Sequence, residues 1–269
     1  MENIIRYLVA VTLISSICFV NNAYADSNKT SQSVEISAAG SLEWDKKAQK
    51  YSVHKDVIVT QSDITIKCDI LNAHYKDTKN LADITVLEAD KNVIISSPPY
   101  TAFGDKATYD VVSGKAVLMG DTVSITTEND VMTTQDRIEF LRDKKKVIAF
   151  GRPIIKHQLD TITADVMAAY FKEDKKGKMV SDKMVADGNV KIETKDEVIT
   201  GNRLVFNSQT RQAVMTGDVL VKKGDNHIKG VKAVVDMNTG ISQLLGNSTS
   251  KDGSGRVKGV FFPKGKKKN

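Results

Sequence analysis

"RQAVMTGDVLVKKGD", residues 211–225, reads as two short apolar runs hinged at Thr216-Gly217-Asp218. The same phrase occurs as "KAVLMGDTVSI" at 115–125, "KVIAFGRPII" at 146–155 and "KMVADGNVKI" at 183–192. The hinge glycines at 120, 151, 188, 217 and 246 are 31, 37, 29 and 29 residues apart. Earlier units, "HKDVIV" at 54–59 and "DKNVII" at 90–95, carry Lys in the glycine position. A period of this size marks repeated supersecondary units. Glycine at a corner takes a positive φ without strain, and the Asp or Asn after it can bond back to the turn. The hinges therefore shape the fold and are not phosphate loops.

Within each unit the residues alternate with period two. In "NVKIETK", Val190 and Ile192 share one face while Lys191, Glu193 and Lys195 share the other, and "DTVSITTE" repeats this with Val123 and Ile125. Such alternation, broken by Gly, Asp and Asn, is the pattern of half-buried strands. No window sustains a helical stripe, and the four prolines, at 98, 99, 153 and 263, fall at turns or edges. The expectation is an all-β chain of antiparallel strands from 34 to 246. Its one-sided apolar faces must roll up or pack on a second sheet. Its interior is then either a filled core or an aliphatic groove able to take acyl chains.

The opening "MENIIRYLVAVTLISSICFVNNAYADS" has Arg6, an apolar stretch Tyr7–Val20 and a small-x-small site at Ala23-Tyr24-Ala25. These are the parts of a secretory signal peptide. The 14-residue apolar stretch is short of the roughly 20 residues of a spanning helix. Cleavage after Ala25 leaves 244 residues with Cys68 as the one cysteine, and so no intrachain disulfide. Cys68, in "TIKCDI", reads as a small apolar strand residue. Net charge is +6, and the last 19 residues, with seven Lys or Arg and one Asp, carry all of it. A nucleic-acid binder would spread its basic residues over a face or groove; here they form a tail. The expected division is signal peptide 1–25, flexible segment 26–33, β-domain 34–246 and basic tail 247–269.

No catalytic constellation is visible. His54, His74, His157 and His227 lack metal-ligand spacing, and there is no nucleophile elbow or P-loop. No enzyme activity, metal or cofactor is expected. Trp44, the single tryptophan, reads as core or rim packing.

"ITGNRLVFNSQTRQAVMTGDVLV" at 199–221 resembles the signature of the OstA/LptA family of periplasmic lipopolysaccharide-transport proteins, with further copies in "ITADVMAAYF", "IKGVKAVVDMNTG" and "AFGDKATYDVVSGKAVLMGD". The resemblance covers about residues 34–246; the unit at 54–77 is degenerate, and the loop at 172–182 lengthens one unit. It implies a single twisted β-jellyroll of about sixteen antiparallel strands, open at both ends. Its apolar interior would shield the lipid A acyl chains of lipopolysaccharide in the periplasm. Partners would be inner- and outer-membrane components of a transport bridge and further copies stacked head to tail. A structural β-solenoid or filament-forming envelope protein with a filled core is the rival reading. The alternation nominates a lipid-facing set: Val57, Val59, Ile64, Ile66, Val93, Ile95, Val123, Ile125, Ile138, Phe140, Ile162, Ile192, Leu204, Phe206, Val219 and Val221. The edges are expected near Val34–Trp44 and Val231–Leu245. "RVKGVFFPKGKKKN" is expected to fold back on the C-terminal edge or to dock on the next protein.

Overall fold

The structure, a computed structural model, describes residues 35–61, 64–77, 82–175, 177, 179–247 and 255–262. The signal peptide, the segment 26–33, Val34 and the terminal lysine cluster lie outside the described residues. Among the described residues there is no helix, and twenty strands form one antiparallel sheet. Four pairs, β7/β8 (Lys115–Met119, Val123–Thr126), β9/β10 (Asp130–Thr134, Arg137–Leu141), β11/β12 (Lys146–Phe150, Ile154–His157) and β13/β14 (Asp160–Thr163, Val166–Glu173), are each a strand broken at a bend. Counted as interrupted strands, they bring the twenty to the expected sixteen.

The bend makes two layers from one sheet. Strands β3 (Lys50–Gln61), β4 (Ile64–Asp77), β5 (Ala82–Ser97), β6 (Tyr100–Asp110), β15 (Met179–Glu193), β16 (Val198–Asn207), β17 (Gln212–Lys223) and β18 (Asn226–Asp236) run through both layers. Along these strands the register shifts at His54/Val57, Lys67/Ile70, Asp90/Val93, Asp187/Val190, Thr200/Arg203 and Thr216/Val219. A bulge inserts an unpaired residue and bends its strand, and here the bulges fall in line across the sheet. One layer continues from β6 through β7, β10, β11 and β14 to β15, and the other through β8, β9, β12 and β13 to β15. Hairpin turns such as 110–115 and 207–212 close the far margin of the first layer. Turns such as 97–100, 126–130 and 157–160 close that of the second.

The repeated phrase is this corner. Gly188-Asn189 and Gly217-Asp218 take consecutive positive φ values of 76° and 46°, and of 81° and 47°. Lys55-Asp56 and Lys91-Asn92 take the same conformation, at 72° and 49° and at 64° and 52°. The degenerate units thus make the same bend without glycine. The valine after each corner, at 57, 93, 123, 190 and 219, is at most 1% exposed. On the neighbouring strand a carboxylate or amide pins the bend: Asn92 Nδ2 donates to Asp69 at 2.8 Å, Asn189 Nδ2 to Asp165 at 2.8 Å and the Asp121 amide to Asp105 at 3.0 Å.

At the N-terminal edge, β1 (Glu35–Ser37) and β2 (Leu42–Asp45) flank β3. Trp44 is exposed there, stacked on Tyr51 and donating from Nε1 to the Tyr75 hydroxyl at 2.7 Å. It is a rim residue. At the other edge, β19 (Ile241–Leu245) covers one half of β18 and β20 (Lys258–Val260) the other. Of the two placements open for the C-terminal segment, its described part adopts the fold-back, through Lys258–Val260. The Phe262 amide secures it by donating to Asn226 Oδ1 at 2.7 Å.

Candidate functional site

Between the layers, inward side chains stand in rows that cross the strands from β3 to β19. In the second layer, successive cross-strand pairs give Val59, Ile66, Ile95, Ala102, Ile125, Met132, Ile155, Ile162, Ile192, Ile199, Val221 and Ile228. The facing row of the first layer runs Val53, Leu71, Ala89, Ala107, Leu118, Ile138, Ala149, Met167, Ala186, Leu204, Met215, Ala233 and Leu244. Antiparallel pairs place opposite side chains about 5 Å apart, so each row is a continuous aliphatic strip. Both strips, apart from Ile228 at the end of the second, belong to one core cluster. Burying each Val, Ile or Leu contributes about 1.5–3 kcal/mol.

Of the sixteen nominated residues, Val59, Ile66, Ile95, Ile125, Ile162, Ile192 and Val221 lie in the second-layer row. Ile138 and Leu204 lie in the facing row. Val57, Val93, Val123 and Val219 line the corner, and Phe140 and Phe206 stand one step toward the open margin of the first layer. Ile64 is at the margin, half-buried and outside the core cluster. The outward positions Lys191 and Glu193 pair with each other at 2.7 Å in solvent.

The sequence reading missed the methionines and alanines. Met132, Met167, Met184, Met215, Ala149, Ala169 and Ala186 are all buried in the interior. Alternation shows on β-branched and aromatic residues, and "VMAAYF" presents no clear strand face. Its pairing with "KMVAD" would have been the signal.

Where the described residues line it, the interior is filled. One cavity of about 10 Å3 lies between Ile155 and Ile162 on one side and Met167, Met184, Ala186, Leu204 and Phe206 on the other. That is room for no more than a water molecule.

Among the described residues, the buried acidic side chains stand at the margin of the second layer. His157 Nδ1 meets the buried Asp130 carboxylate at 2.5 Å, and Lys223 Nζ meets the buried Glu197 at 3.3 Å. Two turns of one design hold these acids. Thr127 accepts from the Asp130 amide at 3.1 Å, and Thr194 from the Glu197 amide at 2.8 Å. Among the described residues no group of three His, Cys, Asp or Glu could hold a metal ion. Cys68 occupies the small-residue slot of the corner that Gly104 and Gly201 fill on other strands. Burial pushes its thiol up to about 11.

The sequence profile of the family described as LptA/(LptD N-terminal domain) LPS transport protein matches residues 35–146 and again 134–241. The chain belongs to this family. Its members are transport proteins, and this chain carries the family domain twice, on one uninterrupted sheet. Among solved structures it is similar to LptH, the LptA-homologous periplasmic component of the lipopolysaccharide transport device from Pseudomonas aeruginosa. Identity is 17% and the TM-score 0.39, over 50% of this chain and 95% of that one. No curated protein matches the chain.

Proposed function

We propose that this protein is a periplasmic carrier that shields lipid A acyl chains between its two layers and passes lipopolysaccharide from the inner toward the outer membrane. One observation carries the reading: the aliphatic rows run without a break through both copies of a domain whose family transports lipopolysaccharide. A hydrocarbon chain sliding along such a strip meets the same surface at every strand. The signal peptide would deliver the chain to the periplasm. The strands at its two ends would join further copies and the membrane-bound components of the bridge, since unpaired strand edges recruit strands.

The filled interior favours a second reading, a structural envelope protein that never opens. Ligand sites typically offer about 300–1,000 Å3, far more than the present cavity, so carriage requires the layers to part about the pinned corner. Purification of the mature protein from cells that make lipopolysaccharide separates the readings. The carrier retains lipopolysaccharide and crosslinks to it from Ile125 or Leu204, but not from Lys191 or Glu193. The structural protein retains none.

A further inference from the structure

The two copies of the domain enclose unlike interiors. Buried positions of the N-terminal strands are held by residues such as Val53, Leu71, Tyr75 and Tyr100; of the buried methionines among the described residues, Met132 stands at the end of the N-terminal copy, and Met167, Met184, Met215 and Met237 lie in the C-terminal copy. Branched and aromatic side chains have few alternatives in a packed sheet; a valine has one dominant χ1 rotamer. Tyr75 is further held by the hydrogen bond from Trp44 and by the Tyr51 ring, whose centroid is 5.0 Å away. Methionine has three rotatable bonds and adapts to irregular space. Met167 and Met184 stand on adjacent strands at the cavity wall, beside Ala186, whose methyl group leaves little to move aside. The interior therefore yields at least cost here, where space already exists and the lining can rearrange.

We propose that this cavity is the first acyl-chain subsite of the protein, where one saturated hydrocarbon chain of a lipid enters by displacing Met167 and Met184. The inference rests on reading the interior as acyl-binding and adds where binding begins. The layer margin sets the orientation. Two residues beyond Ile155 stands His157, paired with Asp130, and two residues before Ile199 stands Glu197, paired with Lys223. Methylene groups left against these charges would strip their water without replacing it. The hydrocarbon thus lies below them among the isoleucines, with the polar head at their level. The N-terminal copy fills only after this subsite is occupied.

Native methionines report on this without substitution. The mature protein is labelled with 13C at its methionine methyls and titrated with palmitate. The Met167 and Met184 resonances should shift within the first equivalent, while Met119 and Met237 stay in place. Ala186→Val, which occupies the cavity, should weaken palmitate binding at least tenfold, with some fall in its thermal midpoint because the added methyl groups overfill the space. Should that variant fail to fold, the wild-type titration decides alone. Palmitate binding with all methionines shifting together, or with Met237 first, overturns the subsite and leaves the carrier reading standing. If neither palmitate nor lipopolysaccharide binds, the carrier reading falls and the subsite with it.

Discussion

Replacing Gly217 by alanine measures what the corner demands of the chain. Gly217 has φ +81°, and a Cβ there would lie 2.6–2.8 Å from the side chain of Asn202. Gly224, in the next hairpin, has φ +56° but nothing within 4 Å of an added Cβ. Both substitutions place an L side chain in the left-handed region, at roughly 1–2 kcal/mol. About half of that is offset because alanine has less freedom than glycine to lose on folding. Gly217→Ala alone must also displace Asn202 from the corner, an overpacking cost of about 1–3 kcal/mol, toward the lower end because Asn202 is exposed. The expected gap between the variants is about 1–2 kcal/mol, or roughly 2–8 °C in Tm for a chain of this size. Thermal unfolding followed by far-ultraviolet circular dichroism reads it directly. A Gly224→Ala variant with a Tm as low as that of Gly217→Ala would refute the corner as a packed, pinned element.

Lys91 makes the same turn at φ 64° with a side chain present, so Lys91→Gly should stabilise by about 0.5 kcal/mol and Lys91→Val should destabilise by about 1–2 kcal/mol; urea titration giving the reverse order would contradict the turn. His157→Ala leaves the buried Asp130 without its imidazole partner and should cost about 1–3 kcal/mol, whereas Leu159→Ala, at an 80% exposed site, should cost nearly nothing. Equal unfolding midpoints for these two would remove the pair from the fold's energetics. With its thiol raised from 9.0 to about 11, folded Cys68 holds its proton at pH values where the unfolded thiol loses it. Stability should therefore be insensitive to this group below about pH 9 and fall from there toward 11. Cys68→Ala should abolish that alkaline component while retaining lipid carriage, and an unchanged pH profile would count against it. Truncation after Asn247 removes β20 and bares the edge at His227–Lys229; sedimentation velocity should then show more self-association than in the full chain, and an unaltered distribution would mean that β20 guards nothing.

The corner was legible because its chemistry is local. A Gly or Lys, an Asp or Asn, then a buried Val recur at 55–57, 91–93, 188–190 and 217–219, and the backbone angles at Lys55 and Lys91 account for the units that lack glycine. Strand faces were legible where β-branched residues alternate with charges, as at Val190–Lys191–Ile192. They were obscure in "VMAAYF", where Met167, Ala168 and Ala169 are all buried and alternation vanishes. Which strands break in two at the bend, and the pairing of β11 with β14 over β12 and β13, follow from contacts distant in sequence that no local pattern carries. The state of the interior was also beyond reach. Filled and splayed troughs share one alternation, and only the volumes of Met167, Met184 and Phe206 set against Ile155 and Ile162 decide how much room is left.

The uninterrupted ladder makes the reach of this protein a matter of counting. Each 29-residue unit, such as that from Gly188 to Gly217, contributes two strands, and strands in a sheet lie about 4.8 Å apart, so a unit adds about 10 Å along the trough. Because the corner recurs within every unit, a unit could be duplicated or lost without redrawing either end. Such a molecule changes length in fixed increments, like a ruler extended by whole divisions. Doubling the domain inside one chain also replaces an association that depends on concentration with a covalent one. Two lengths of the domain are then joined from the moment of folding, however few copies the cell makes.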